Sequence, residues 1–183
     1  PDFLETLPDH FLSDGMAEVI KYGAIFDRAL LRRIEKEKIS AEIIAACVTH
    51  KRDVVLRDEF DHGDRMLLNF GHTVGHAVEA IGNYTTHTHG FAVAIGMVTA
   101  ARLGEALGLT QPGCADDLAS VLASFSLPTE LPYPQADILS HMLNDKKMRS
   151  GKLHMILLRT LGNAHIVPFD PSEVMKFQIA KEG

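Results

Sequence analysis

With 183 residues, 46% of them hydrophobic, the chain can bury one substantial core or two small ones, so it reads as globular. Its net charge of -6 and pI near 5.9 come from interspersed acids and bases, which excludes the one-signed electrostatic footprint of a nucleic-acid binder. No apolar run reaches the roughly 20 residues that span a bilayer and no signal region opens the chain, so no membrane partner and a cytoplasmic location are expected.

Helix signals dominate from the start. Ser13 and Asp14 are expected to cap a helix opening with GMAEVIKYG, and ALLRRIEKEKI continues at helical spacing beyond Asp27. Ser40 caps the next segment, whose Ile43, Ile44, Cys47, Val48, Val54 and Val55 form an apolar stripe. The acids around Gly63 mark a surface loop. Helical spacing predicts a histidine-bearing helix from Met66 to Ile81, a turn-rich GNYTTHTHG, and then a small-residue core helix ending at Gly108. DDLASVLASF and ADILSHMLNDKK read as further helices. KLHMILLRTLGNAHIV, with its Gly162-Asn163 turn, reads as one small β-hairpin. The expected fold is therefore mainly α, a single multi-helix domain over 1–183. Cys47 and Cys114 belong to no CxxC pair and read as buried small hydrophobes in a reducing compartment. The opening PDFLETLP lacks an initiator Met, which suggests an excised or processed piece.

Within RMLLNFGHTVGHAVEAIGNYTTHTHG, His72 and His76 lie four residues apart and His89 follows thirteen residues later. Imidazole is the commonest zinc ligand and an i, i+4 pair projects from one helix face, so a metal-centred active site is the first hypothesis. His10, His50, His62, His141, His154 and His165 read as ordinary surface or core histidines, while position leaves open whether His87 replaces or assists His89. Glu18 is a candidate third ligand, although spacing alone favours an i, i+3 ion pair with Lys21 on a solvated face. HTVGH lacks the glutamate of HExxH, which argues against a zinc peptidase. Lys51, Arg65 and the pair Lys146-Lys147 fall near loops or helix ends, and with Lys21 they point to an anionic substrate, although each taken singly reads as a solvated cation.

The series DGMAEVIKYG, KRDVVLRDE, RMLLNFGHTVGHAVE, HG before AVAIGMV, and NDKK resembles, in order and interval, the C-terminal domain of the 3-dehydroquinate synthase family, within the wider sugar-phosphate cyclases. The resemblance implies that Glu18, His72 and His89 hold a catalytic zinc or cobalt ion, and that His76 contacts substrate. It implies that Lys21, Lys51, Arg65, Leu68, Asn69, Lys146 and Lys147 lie around the substrate's carboxylate, phosphate and hydroxyls, with Lys21, Lys51, Arg65, Asn69 and His76 catalytic. The implied activity is a lyase step of the shikimate pathway, towards aromatic amino acids. In it, the sugar phosphate DAHP is oxidised by tightly held NAD, loses phosphate, is reduced, opens and closes to 3-dehydroquinate.

NAD would be held mainly by a Rossmann-like N-terminal domain, which this chain lacks; Phe3, Thr6 and Asp14 would be its fringe here. The isolated chain is expected to turn over weakly or not at all, and a homodimer is a family expectation only. Two departures stand out. Phe91 replaces a glutamate that would orient His89, and Asp61 replaces a glutamate of the DExE stretch. Other sugar-phosphate cyclases, an iron-activated polyol dehydrogenase-like protein and a non-catalytic domain are the rival readings.

Overall fold

The computed structural model describes residues 4–37, 39–60, 63–144, 148–149 and 151–179, and it is mainly helical with one small antiparallel sheet. The Pro8 carbonyl accepts the first turn of the opening helix, Asp9–Phe26 (α1), from Phe11 N at 2.9 Å. Ser13 and Asp14 therefore lie inside α1 and do not cap its start, which corrects the sequence expectation. Asp27, in extended backbone, ends α1 and caps Arg28–Lys36 (α2), accepting from Ala29 N at 2.8 Å and Leu30 N at 3.0 Å. Ser40 caps Ala41–Arg57 (α3) as expected. The apolar stripe of α3 is narrower than its spacing predicts: Ile43, Cys47 and Val54 are buried, but Val48 is 60% exposed.

The helix expected over Met66–Ile81 is broken in two. Asp64–Asn69 form a 3-10 helix, and the α-helix proper, His72–Ile81 (α4), starts after Gly71. Gly71 has φ 79°, a left-handed backbone that glycine adopts without steric cost, and a side chain there would strike Met97 and the Val93 carbonyl. The break makes His72 the first residue of α4.

The next helix, His89–Ala106 (α5), buries 13 residues, packs against α1 and α4, and is apolar all round, the mark of a core helix. A methyl group at Gly96 would overlap the Gly71 carbonyl oxygen, so the small side lets α4 and α5 approach at backbone distance. Cys114–Ser124 (α6) also packs on α5, and Gln135–Asn144 (α7) packs on α4. Met148–Arg149 (β1), Lys152–Thr160 (β2) and Asn163–Phe169 (β3) form a sheet in the order β1-β2-β3, and Pro171–Val174 (α8) follows. The expected hairpin is β2–β3, but its loop is Leu161-Gly162, one residue earlier than expected, because Asn163 already pairs with Thr160. Neither β1 nor α8 was expected. Cys47 and Cys114 are free and buried, and among the described residues no helix is long and apolar enough to cross a membrane.

Candidate metal centre

Three elements converge on one point. Glu18 comes from the middle of α1, His72 from the first turn of α4 and His89 from the first turn of α5, and one ligand atom from each lies within 4.8 Å of the others. The His72 and His89 rings meet edge-on with centroids 5.1 Å apart, and His76 joins them at 5.6 Å from His72 and 6.4 Å from His89. His87 stands apart, with Nε2 3.2 Å from the Tyr133 hydroxyl, so it neither replaces nor assists His89 in this cluster.

Each of the two converging imidazoles has a partner for one of its nitrogens. His72 Nδ1 is 3.1 Å from the Phe70 carbonyl oxygen, and His89 Nδ1 is 3.1 Å from Glu79 Oε1. Both partners offer acceptor oxygens, so each Nδ1 is the donor, and in the neutral imidazole each Nε2 keeps its lone pair. His72 Nε2 then faces Glu18 Oε1 at 3.6 Å. That oxygen is buried and has no hydrogen-bond partner among the described residues. The other carboxylate oxygen, Oε2, accepts from Lys21 Nζ at 2.7 Å.

The ion pair expected from spacing thus exists, but not on a solvated face: Lys21 is only 3% exposed. Burial pushes its amine below the ordinary lysine value, while Glu18 pulls it back up and the Lys51 charge lowers it further. Lys51 itself is exposed on α3. Arg65 is tied to the end of α3: its backbone N–H donates to Asp58 Oδ2 at 3.0 Å and its Nη1 donates to the Glu59 carbonyl at 2.9 Å. Leu68 packs against the core from the 3-10 helix. Asn69, at the end of the 3-10 helix, lines a narrow crevice with Thr73, Gly96 and Met155. Thr6 is exposed in a turn before α1. Phe3, Asp61, Lys146 and Lys147 lie outside the described residues.

Two features were not foreseen. Asp14, expected as a fringe of a nucleotide site, accepts from Phe91 N at 3.2 Å, while Thr88, which precedes α5, makes no side-chain cap. Asp14 therefore caps α5 from α1, with Gly90 packed so closely on its carbonyl that a methyl group could not fit. This contact holds the helix of Glu18 against the first turn that carries His89. The second is Glu79. Phe91 packs on the core, and the expectation that its presence leaves His89 without an orienting acid is corrected by the Glu79 carboxylate. Glu79 was findable in sequence, because it follows His72 by seven residues and so shares its helix face.

The family model described as "3-dehydroquinate synthase C-terminal" matches residues 15–148. The chain belongs to that family. A 3-dehydroquinate synthase of Clostridium botulinum (strain Alaska E43 / Type E3) is 42% identical over 174 residues, covering 91% of this chain and 50% of the relative. One of a Synechococcus strain is 42% identical over 189 residues, covering 96% and 51%. The chain thus spans about half the length of the curated relatives it matches. Among solved structures, a 2-epi-5-epi-valiolone synthase from Streptomyces hygroscopicus subsp. jinggangensis with NAD+ and Zn2+ bound superposes with TM-score 0.83 at 24% identity, over 96% of this chain and 52% of that one. A 2-deoxy-scyllo-inosose synthase complexed with carbaglucose-6-phosphate, NAD+ and Co2+ superposes with TM-score 0.73 at 20% identity, over 94% of this chain and 54% of that one. At such identities these two establish the shared fold.

Proposed function

We propose that this chain is the metal- and substrate-binding half of a 3-dehydroquinate synthase, which converts DAHP to 3-dehydroquinate with loss of phosphate. The observation that carries the reading is the convergence of acceptors. A buried carboxylate oxygen and the Nε2 lone pair of His72 face each other at 3.6 Å, with His89 beside them. With neutral imidazoles, acceptors so arranged repel one another until a cation lies among them. Two imidazoles and one carboxylate suit zinc or cobalt and leave a position open for a substrate oxygen. When bound, such an ion supplies Lewis-acid polarisation of a substrate hydroxyl or carbonyl.

The chain's own residues set the rest of the chemistry. Lys21, buried and held by Glu18, offers a poorly hydrated ammonium to an anionic oxygen at the edge of the cluster. Lys51, whose charge reaches Lys21, and Arg65, steadied by Asp58 and Glu59, extend the cationic side towards the substrate's carboxylate and phosphate. His76, on the same face of α4 as His72, is within reach to hydrogen-bond a substrate oxygen or move its proton. Asn69, Leu68, Lys146 and Lys147 are proposed to complete the substrate site. Hydride transfer belongs to NAD, held mainly by a Rossmann-like domain outside this chain, with Phe3, Thr6 and Asp14 at its border. A cytoplasmic location and a homodimer belong to the same proposal.

Identity of 42% to relatives named 3-dehydroquinate synthase, against 24% to the valiolone synthase, favours DAHP over other sugar phosphates. The test is phosphate release from DAHP by the protein that contains this chain, with NAD and zinc or cobalt. Release that needs both cofactors and ends with His72→Ala supports the reading; preference for a sugar phosphate lacking the carboxylate overturns it. The 183-residue chain alone should release phosphate at a trace rate, and robust turnover by it with NAD and zinc would overturn the division of labour.

A further inference from the structure

We propose that Glu79 is a positioning residue for the metal centre, fixing the His89 ring so that its Nε2 faces Glu18 and His72. The inference rests on the metal reading above. His72, His76 and Glu79 occupy successive turns of one face of α4, and His89 opens the helix packed against it. Glu79 Oε1 lies 3.1 Å from His89 Nδ1, and the Glu79 side chain is 12% exposed against 47% for His89.

The two imidazoles are therefore secured by different means. His72, at 12% exposure, is enclosed and donates to the Phe70 carbonyl. His89 is half open at a helix start, where packing leaves its ring room to turn and to exchange tautomers. The carboxylate that accepts a hydrogen bond from its Nδ1–H removes that freedom. It also places a negative charge on the far side of the ring, which raises the electron-donating power of Nε2. Glu79 sits on α4 and His89 on α5, so the contact also sets the distance between the ligands those helices bring.

The experiment measures zinc affinity by competition with a chromophoric chelator, and the His89 tautomer in the metal-free chain by nitrogen-proton NMR. It compares wild type, Glu79→Gln and Glu79→Ala. The alanine variant should bind zinc about 10- to 100-fold more weakly and show His89 as a tautomer mixture. The glutamine variant keeps an acceptor without the charge, so it should retain the Nδ1-protonated form and fall between the two in affinity. Should the alanine variant fail to fold, Glu79→Leu, which keeps the packing stem without an acceptor, replaces it. Zinc binding within about threefold of wild type in the acceptor-free variant, with an unchanged tautomer, overturns the role of Glu79. A wild-type chain that takes up no zinc overturns the metal reading itself, and this inference with it.

Discussion

The histidines of the α1, α4 and α5 junction and those of the β2–β3 hairpin are the same residue put to opposite uses. At the junction, His72 and His89 each give Nδ1 to an acceptor, Phe70 O and Glu79 Oε1, and one ligand atom of each lies within 4.8 Å of one from Glu18. On the hairpin, His154 pairs with Pro168 and His165 with Leu157, so strand alternation puts the two on opposite faces of the sheet. Among the described residues, neither hairpin Nδ1 has a hydrogen-bond partner. A histidine becomes a candidate ligand when one nitrogen is anchored and the other is aimed at a shared point; burial alone does not achieve this. The sharpest way to break the comparison is a pair of alanine variants read by zinc content and chelator competition. His72→Ala should weaken zinc binding by more than about 100-fold, since loss of a ligand costs more than loss of its support, while His154→Ala should leave it unchanged. Equal losses in both would dissolve the distinction.

Two glycines, Gly96 on α5 and Gly151 between β1 and β2, differ in the same sense. Gly96 sits where a methyl group would meet the backbone of Gly71 and Gly75, the very turn that starts α4 at His72. Gly151, in the turn before β2, has φ 78° and open space around it. Gly96→Ala should therefore cost about 2 to 3 kcal/mol through forced separation of α4 and α5, and should weaken zinc binding as well. Gly151→Ala should cost only about 1 kcal/mol, from backbone conformation alone, with zinc binding intact. Urea unfolding of both variants alongside zinc titration separates these outcomes.

Much of this arrangement was legible in the sequence, for reasons that differ from residue to residue. The helical class follows from apolar spacing, and α3 begins where Ser40 says it should. Resemblance assigns Glu18, His72 and His89 to the metal; spacing alone groups His72 with His76 and His89, and offers Glu18 as a ligand while favouring its ion pair with Lys21. Both spacing relations exist in the structure, but they do not say which atoms share a point. The break at Gly71 was hidden because apolar residues on either side keep helical spacing through the 3-10 turn. Glu79 was overlooked because its partner is ten residues away and on another helix. Asp14 misled more plainly: an aspartate before an apolar helical run looks like a local cap, and it caps a helix 77 positions on.

That long-range cap offers an intermediate test. Asp14→Ala removes the acceptor for Phe91 N at the start of α5 and should lower stability by about 1 kcal/mol, a fall in melting temperature of roughly 2 to 4 °C for a chain of this size. Asp14→Asn, which can still accept, should recover most of it. Because Glu18 lies one turn further along α1, zinc binding should weaken in the alanine variant more than in the asparagine one. A cap that matters only to stability would leave the two alike in zinc affinity.

The smallest effect belongs to the hairpin, where an idle histidine should still register as a function of pH. Burial first, and then the positive charge of Arg159, hold His165 below its ordinary value of 6.5, with the Leu157 backbone opposing them more weakly. Since the folded chain takes up this proton less readily than the unfolded one, protonation favours unfolding. Stability is unaffected by His165 well above pH 6.5 and is lost as the pH falls through and below it. His165→Gln removes that liability. The urea midpoint of the variant relative to wild type should therefore move in the variant's favour between about pH 7.5 and about pH 5, a window that spans the ordinary histidine value of about 6.5. Zinc affinity at pH 7.5 should be the same in both chains. A relative midpoint that stays flat, or that moves towards wild type on acidification, would mean that the hairpin shelters the imidazolium, and the contrast with the anchored histidines of the metal centre would lose its electrostatic half.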